Sequence, residues 1–329
     1  LLQNRSAPEE APVPAPSSRH LVDPQLLPIL EMVPPLNLSV EALAAIRGRP
    51  ALFAPDPADL ERTDMRIEHI AGPEAAPRVE VLVYGPRGAT GPLPTILHIH
   101  GGGYVTGDAR GMEAAHRRMV AKLNCRIVSV NYRLAPETPY PGAVEDCYAT
   151  LAWCFDNAAD LGIDAARLGV MGESAGGGLA AALALLARDR GRYPLAFQHL
   201  IYPMIDDRTC VHPEPHPYVG EYIWTPAANV FGWTSLLGHA PGGEGVSPYA
   251  AAARAESLAG LPPTFIATGA LDLFLEENLD YARRLTRAGV PLELHVYPGA
   301  FHGFQWAQAA DVTKAADRDA MAALGRWLG

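Results

Sequence analysis

From about Arg66 onward, short runs rich in β-branched residues alternate with longer Ala/Leu stretches, the pattern of a mainly parallel sheet with helices on its faces. The runs predicted as strands are Met65–Ala71, Arg78–Tyr84, Thr95–His100, Arg126–Asn131, Leu168–Gly172, Gln198–Tyr202, Thr264–Thr268 and Leu292–Tyr297. Most are near-continuously apolar, as strands covered on both faces should be, and eight of them suit one large sheet. Helices are predicted over Gly111–Leu123, Gly142–Asn157, Ser174–Arg188, Glu276–Ala288 and Val312–Leu328, several of them stopping at or before Gly.

Two regions break the alternation. Residues 1–60 carry amphipathic hints at Leu26–Val33 and Val40–Ile46 but no strand, and 205–245 is dense in Pro, Gly and aromatics. Long insertions of this kind are lids or disordered segments, and the aromatics argue against disorder. The two regions therefore read as halves of one cap over a catalytic domain formed by 61–204 and 246–329.

Composition narrows the function. The 329 residues hold 26 Lys+Arg against 36 Asp+Glu, a net charge of −10, with no basic run, so nucleic-acid binding is not expected. With 49% hydrophobic and 19% charged residues the chain has ample material for a core. Cys125, Cys147, Cys154 and Cys210 form no Cys-x-x-Cys pair and read as reduced thiols. The longest small-apolar run, Ala175–Ala187, is too short to cross a bilayer, and the opening through about His20 shows no signal-peptide apolar core. A cytoplasmic protein without stable membrane insertion is the expectation.

The chemistry is carried by a set of motifs. Gly172-Glu173-Ser174-Ala175-Gly176 follows a strand and opens a helix, the setting in which a sharp turn presents a nucleophilic serine and crowds its neighbours into Gly. Taken alone, the segment also reads as a Gly-rich turn with a helix-capping Ser. His100-Gly101-Gly102-Gly103-Tyr104 ends an upstream strand, where bare N–H groups can receive an oxyanion; Gly102, Gly103 and Ala175 are the donors that pattern assigns. A base and its orienting acid should follow in the order acid, then His. His302 is the one histidine after the serine in a post-strand loop, and Asp272 directly follows the strand expected beside that of His302. Asp272 also reads as a helix N-cap, and both roles can coexist. Glu276, Glu277 and Asp280 fall on the next helix and are expected to face water.

With these residues in place, the sequence resembles the hormone-sensitive-lipase-like family of α/β-hydrolases. The likeness rests on His100–Gly103, Tyr132-Arg133-Leu134-Ala135-Pro136-Glu137, Gly172–Gly177, Asp272 and His302-Gly303-Phe304, and spans most of Arg66–Gly329. It implies an eight-stranded sheet, a helical cap, no metal and no organic cofactor, and carboxylesterase activity on a small-molecule ester of short to medium chain. Tyr132–Glu137 and Asp146 look like structural supports in this family. Its tendency to associate suggests a homodimer through a strand edge or the cap. Two departures stand out: Glu173 where many members have Asp, and Gly111-Met112-Glu113 in place of a Thr/Ser-His-Asp segment.

Other signals weigh less. Gly176-Gly177-Gly178-Leu179-Ala180-Ala181 matches a dinucleotide pattern literally, but its glycines start inside the helix and no acid follows at a strand end. His98 with His100, and His212 with His216, lack the carboxylate or thiolate company of a metal site and read as surface or packing residues. Tyr104, Tyr222, Trp224, Phe231 and Trp233 are candidates to line the substrate pocket. An aryl-acetamide or lactone hydrolase would share the acyl-enzyme route. The other class is a binding protein on the same scaffold, as in the plant gibberellin receptor, which has lost the catalytic histidine; here His302 is present.

Overall fold

The computed structural model describes residues 17–33, 36–73 and 76–329. Its strands are β1 (Thr63–Ile70), β2 (Val79–Pro86), β3 (Leu93–Ile99), β4 (Arg126–Asn131), β5 (Ile163–Glu173), β6 (Gln198–Ile201), β7 (Thr264–Gly269) and β8 (Leu292–Tyr297). They form one sheet in the order β1-β2-β4-β3-β5-β6-β7-β8. β2 is antiparallel to both its neighbours and every other pairing is parallel. The helices are α1 (Leu27–Met32), α2 (Leu43–Arg47), α3 (Pro57–Arg62), α4 (Glu113–Leu123), α5 (Gly142–Asp156), α6 (Ala158–Leu161), α7 (Ala175–Arg190), α8 (Pro226–Leu237), α9 (Leu275–Arg287) and α10 (Asp311–Leu328).

Strand residues alternate between two apolar layers, because successive side chains leave opposite faces of the pleat. Leu97, Ile99, Val128, Val130 and Val170 pack under α5, α7 and α9. Ile96, Ile127 and Met171 pack under α4 and the Leu324–Leu328 end of α10. Helix α7 is buried through Ala187, which its small residues permit by letting the helix lie close on the sheet. β5 starts five residues earlier than its apolar run, with Ile163 pairing Leu93 across a register shift.

The N-terminal segment and the insertion meet. Ser18 Oγ donates to Glu221 (2.7 Å), and Leu43 of α2 packs with Phe231 of α8, Val105 and Ala135. Val22, Leu26 and Ile29 pack instead on Phe301 and Phe304 after β8. The short helix α3 lies at the sheet edge, where Arg117 of α4 donates to Thr63 O (3.1 Å). Residues 1–16, including most of the Pro/Ala/Ser-rich opening, are outside the described residues. Among the described residues no helix is long and apolar enough to cross a membrane.

Candidate active site

β5 delivers Ser174 at the rim of the sheet. Its φ of +57° with ψ of −123° is a sparsely populated conformation that costs a non-glycine residue about 1–3 kcal/mol. The turn is possible because Gly176 has no side chain: a methyl group there would lie 2.1 Å from Ile99 O. Ser174 N donates to Ile201 O (2.9 Å), and Ser174 O accepts from Gly178 N and Met204 N (2.9 Å each). The hydroxyl therefore stands at the N-terminal end of the 16-residue helix α7, where the helix field favours negative charge.

β7 and β8 run parallel and adjacent, and the loops that follow them bring Asp272 and His302 to the same rim. Ser174 Oγ lies 2.9 Å from His302 Nε2, and His302 Nδ1 lies 2.9 Å from Asp272 Oδ2. The second carboxylate oxygen of Asp272 accepts from Phe274 N (2.9 Å), so Asp272 caps the turn into α9 and partners His302 at once. Asp272 is fully buried, while Ser174 and His302 retain 6% exposure each.

The glycine loop after β3 faces the serine: a methyl group on Gly101 would lie 3.4 Å from Ser174 Cβ. Gly102 and Gly103 have φ of +122° and +62°. Among the described residues, the N–H groups of Gly102, Gly103 and Ala175 have no backbone or side-chain acceptor, which leaves three donors beside Ser174. Neighbouring bonds hold the loop. Burial pulls the His100 pKa down to about 4, so its ring is neutral and Nδ1–H donates to Gly101 O (2.8 Å). The Tyr132 ring stacks on His100 at 4.2 Å, and the Tyr132 hydroxyl donates to His100 O. Asp146, fully buried, accepts from the backbone N and the guanidinium of Arg133 just downstream.

The five pocket candidates separate. Trp224 lies on the glycine loop, with Cη2 2.0 Å from where a Gly103 methyl would stand, and its ring centroid is 6.3 Å from that of His302. Its Nε1 donates to Asn229 Oδ1 (3.1 Å). Tyr104 is buried with its hydroxyl given to Met204 O (2.8 Å), and Trp233 of α8 packs against it at 5.2 Å, so both belong to the hydrophobic core. Phe231 packs toward α2, and Tyr222 packs on Phe301 at 5.6 Å.

Two neighbours of His302 escape the sequence reading. Tyr202, at φ +33°, sets its ring 4.5 Å from the imidazole, and Phe274 meets it edge-on at 5.2 Å. The signal for Tyr202 was its place directly after β6, level with Ser174 across the β5–β6 pairing.

One expectation is corrected. Glu277 does not face water: it is buried and accepts from Ile205 N (2.7 Å), Asp206 N (3.3 Å) and the Thr209 hydroxyl. Burial pushes its carboxyl well above the usual range. His98 and His116 are packed against each other inside, and among the described residues no group of three or more His, Cys, Asp or Glu could hold a metal ion. The Gly111-Met112-Glu113 departure serves α4: Gly111 N donates to Asp108 and Glu113 pairs with Arg117.

A twisted parallel sheet covered on both faces, with a strained serine between β5 and α7, defines the α/β-hydrolase class. Residues 96–306 match the family model described as alpha/beta hydrolase fold. The chain is 34% identical to Esterase LipI of Mycobacterium tuberculosis over 86% of its own length and 88% of that protein's. It is 33% identical to Carboxylesterase NlhH of the same organism, covering 93% and 96%. The solved structure of a bacterial heroin esterase superposes with a TM-score of 0.86 at 36% identity, covering 94% of this chain and 99% of that one. The chain belongs to the hormone-sensitive-lipase-like branch of the α/β-hydrolases.

Proposed function

We propose that this carboxylic-ester hydrolase cleaves small esters of short to medium acyl chain through an acyl-enzyme on Ser174. His302 Nε2 takes the Ser174 proton as Oγ attacks the ester carbonyl, and Asp272 holds the Nδ1–H tautomer and balances the imidazolium that forms. The N–H groups of Gly102, Gly103 and Ala175 receive the oxyanion, each worth about 3–4 kcal/mol when such a donor is removed. The imidazolium then protonates the departing alcohol. Water, deprotonated by the same histidine, attacks the acyl-enzyme and releases a free acid.

The observation that carries this reading is the unbroken line of hydrogen bonds from Asp272 through His302 to Ser174, 2.9 Å at each step. The names of the relatives support the ester as substrate class. The preference for small esters is supported by the position of Trp224, which lies over the glycine loop and leaves Ser174 and His302 nearly enclosed.

The test is a series of p-nitrophenyl acetate, butyrate, octanoate and palmitate with the Ser174→Ala protein as blank. Turnover greatest on the shorter esters, and absent in Ser174→Ala, is the expected result. Wild-type rates in Ser174→Ala would refute the mechanism, and a maximum at palmitate would refute the substrate class.

A further inference from the structure

On the α4/α10 side of the sheet, directly behind the serine turn, a buried side-chain pair joins β3 to β5 and takes no part in the cycle above. Glu173 is the last residue of β5, and His98 lies two positions before His100 on β3. His98 Nε2 stands 3.0 Å from both Glu173 Oε1 and Glu173 Oε2. The imidazole is fully buried and the carboxylate 17% exposed. The Nε2–H therefore donates to both oxygens, a charge-assisted bond in a nearly dry setting where such bonds are strong. The His116 ring packs edge-on against His98 at 4.4 Å, which closes off the other side.

The two strands carry different halves of the site. β3 runs into the Gly101–Gly103 loop, and β5 ends on Ser174. Their ladder stops at the Ile99–Gly172 pairing, so the donors and the nucleophile both lie beyond its last rung. There the backbones are already touching: a methyl group on Gly101 would stand 2.9 Å from Glu173 O. The pair draws together the same two strand ends from the side. Its reach fits glutamate, since Glu173 must turn back to His98, whose register partner on β5 is Met171. The shorter aspartate side chain would not span that step.

We propose that the His98–Glu173 pair is a positioning clamp, setting the distance between the oxyanion-loop amides and Ser174. The proposal rests on the hydrolytic reading of the site. Oxyanion donors act on charge that exists only in the transition state, so loosening them lowers kcat and leaves substrate binding alone.

Steady-state kcat and KM on p-nitrophenyl acetate are measured for wild type, Glu173→Ala, His98→Phe, the double variant and Glu173→Gln, with melting temperatures alongside. Each single loss lowers kcat about tenfold with KM held within about twofold, less than the hundredfold that a full ångström of misplacement can cost. The double variant falls no further than the worse single, since both break one link. Glu173→Gln, whose amide oxygen accepts the same N–H, recovers most of the kcat. Additive losses, a rise in KM at constant kcat, or Glu173→Gln as poor as Glu173→Ala would each overturn the clamp. Should Glu173→Ala or His98→Phe fail to fold, Glu173→Asp against Glu173→Gln decides. Reach predicts the lower kcat for Asp, and the reverse order overturns the proposal. Should the wild type turn over no ester, the hydrolytic reading fails by itself. The clamp is then read from the rate at which a fluorophosphonate labels Ser174 in the same variants, and equal rates overturn it.

Discussion

Asp272→Asn isolates the contribution of the acid, because the two oxygens of Asp272 hold different partners. Oδ1 accepts from Phe274 N and Oδ2 from His302 Nδ1, each at 2.9 Å. Asparagine has one oxygen. If it serves Phe274, the amide NH2 faces Nδ1, the imidazole proton moves to Nε2, and His302 can no longer accept from Ser174. If it serves His302, the NH2 opposes the Phe274 N–H in a fully buried site, which costs about 1–3 kcal/mol for the unmet donors. The first arrangement keeps the buried Phe274 N–H paired, so it prevails. The wrong tautomer lowers kcat about 10⁴-fold when the same change is made in a Ser-His-Asp protease, equal to about 5 kcal/mol of transition-state stabilisation. The assay is kcat/KM on p-nitrophenyl acetate beside Glu276→Gln, an exposed carboxylate on the following helix. The Asp272→Asn protein should melt within a few degrees of wild type while losing about three to four decades of kcat/KM, and Glu276→Gln should stay within about twofold. An Asp272→Asn enzyme keeping more than about a tenth of wild-type kcat/KM would refute the tautomer argument.

Three other outcomes follow from the structure. Glu277→Ala strands the Ile205 and Asp206 N–H groups and the Thr209 hydroxyl, so the urea midpoint should fall by the equivalent of about 2–4 kcal/mol; a loss below about 1 would contradict their burial. Burial holds the His199 pKa down to about 3 from 6.5, so below pH 6.5 the unfolded chain takes up a proton that the folded one refuses. Stability is therefore full above 6.5 and drains as pH falls toward 3, by about 1.4 kcal/mol per unit, and His199→Phe should flatten that slope in urea melts at pH 7 and 4.5. An unchanged slope would refute it. Trp224→Leu removes the ring over Gly103 and should move the best p-nitrophenyl ester to a longer chain, an effect absent if the acyl group lies elsewhere.

What the sequence made legible was set by short-range patterns. β4 has the expected bounds because its apolar run lies between Arg126 and Asn131, and β8 because its alternating residues lie between Pro291 and Pro298; Ser174, Asp272 and His302 could be singled out because strand-end motifs carry their own geometry. β5 was read short because Asp164, Ala165, Ala166 and Arg167 carry no apolar run; only the register shift opposite Leu93 makes them strand. Helix α8 had a readable start in Thr225-Pro226, where Thr225 Oγ1 accepts from Ala228 N, and a readable stop at Gly238. Glu277 shares its helix face with Phe274 and Tyr281, three before and four after. The period thus placed it inside, yet its charge argued for water. What no local pattern supplied was the Ile205–Thr209 segment whose donors make that burial tolerable. The pocket was the least legible part. Trp224 reaches the site through a turn in which its N–H bonds Tyr222 O (2.7 Å) and Ile223 takes a φ of +62°, a strained path for a β-branched residue that propensity argues against.

The strain at Ser174 must be held by more than its own turn, because a residue at φ +57° relaxes unless its neighbours over-determine it. The segment from Ile201 to Met204 supplies that constraint: Ile201 O takes the Ser174 N–H, and Met204 N gives its proton to Ser174 O. Tyr202, between them, carries the ring that lies against His302, while its own N–H is bound to Ala267 O within β7. Ser174 and His302 are thus both referenced to one four-residue piece of backbone, which is itself tied to the strand leading to Asp272. This shared support adds to the Asp272 bond in holding His302 Nε2 at 2.9 Å from Ser174 Oγ. In this way a serine and a histidine 128 positions apart meet at hydrogen-bond distance.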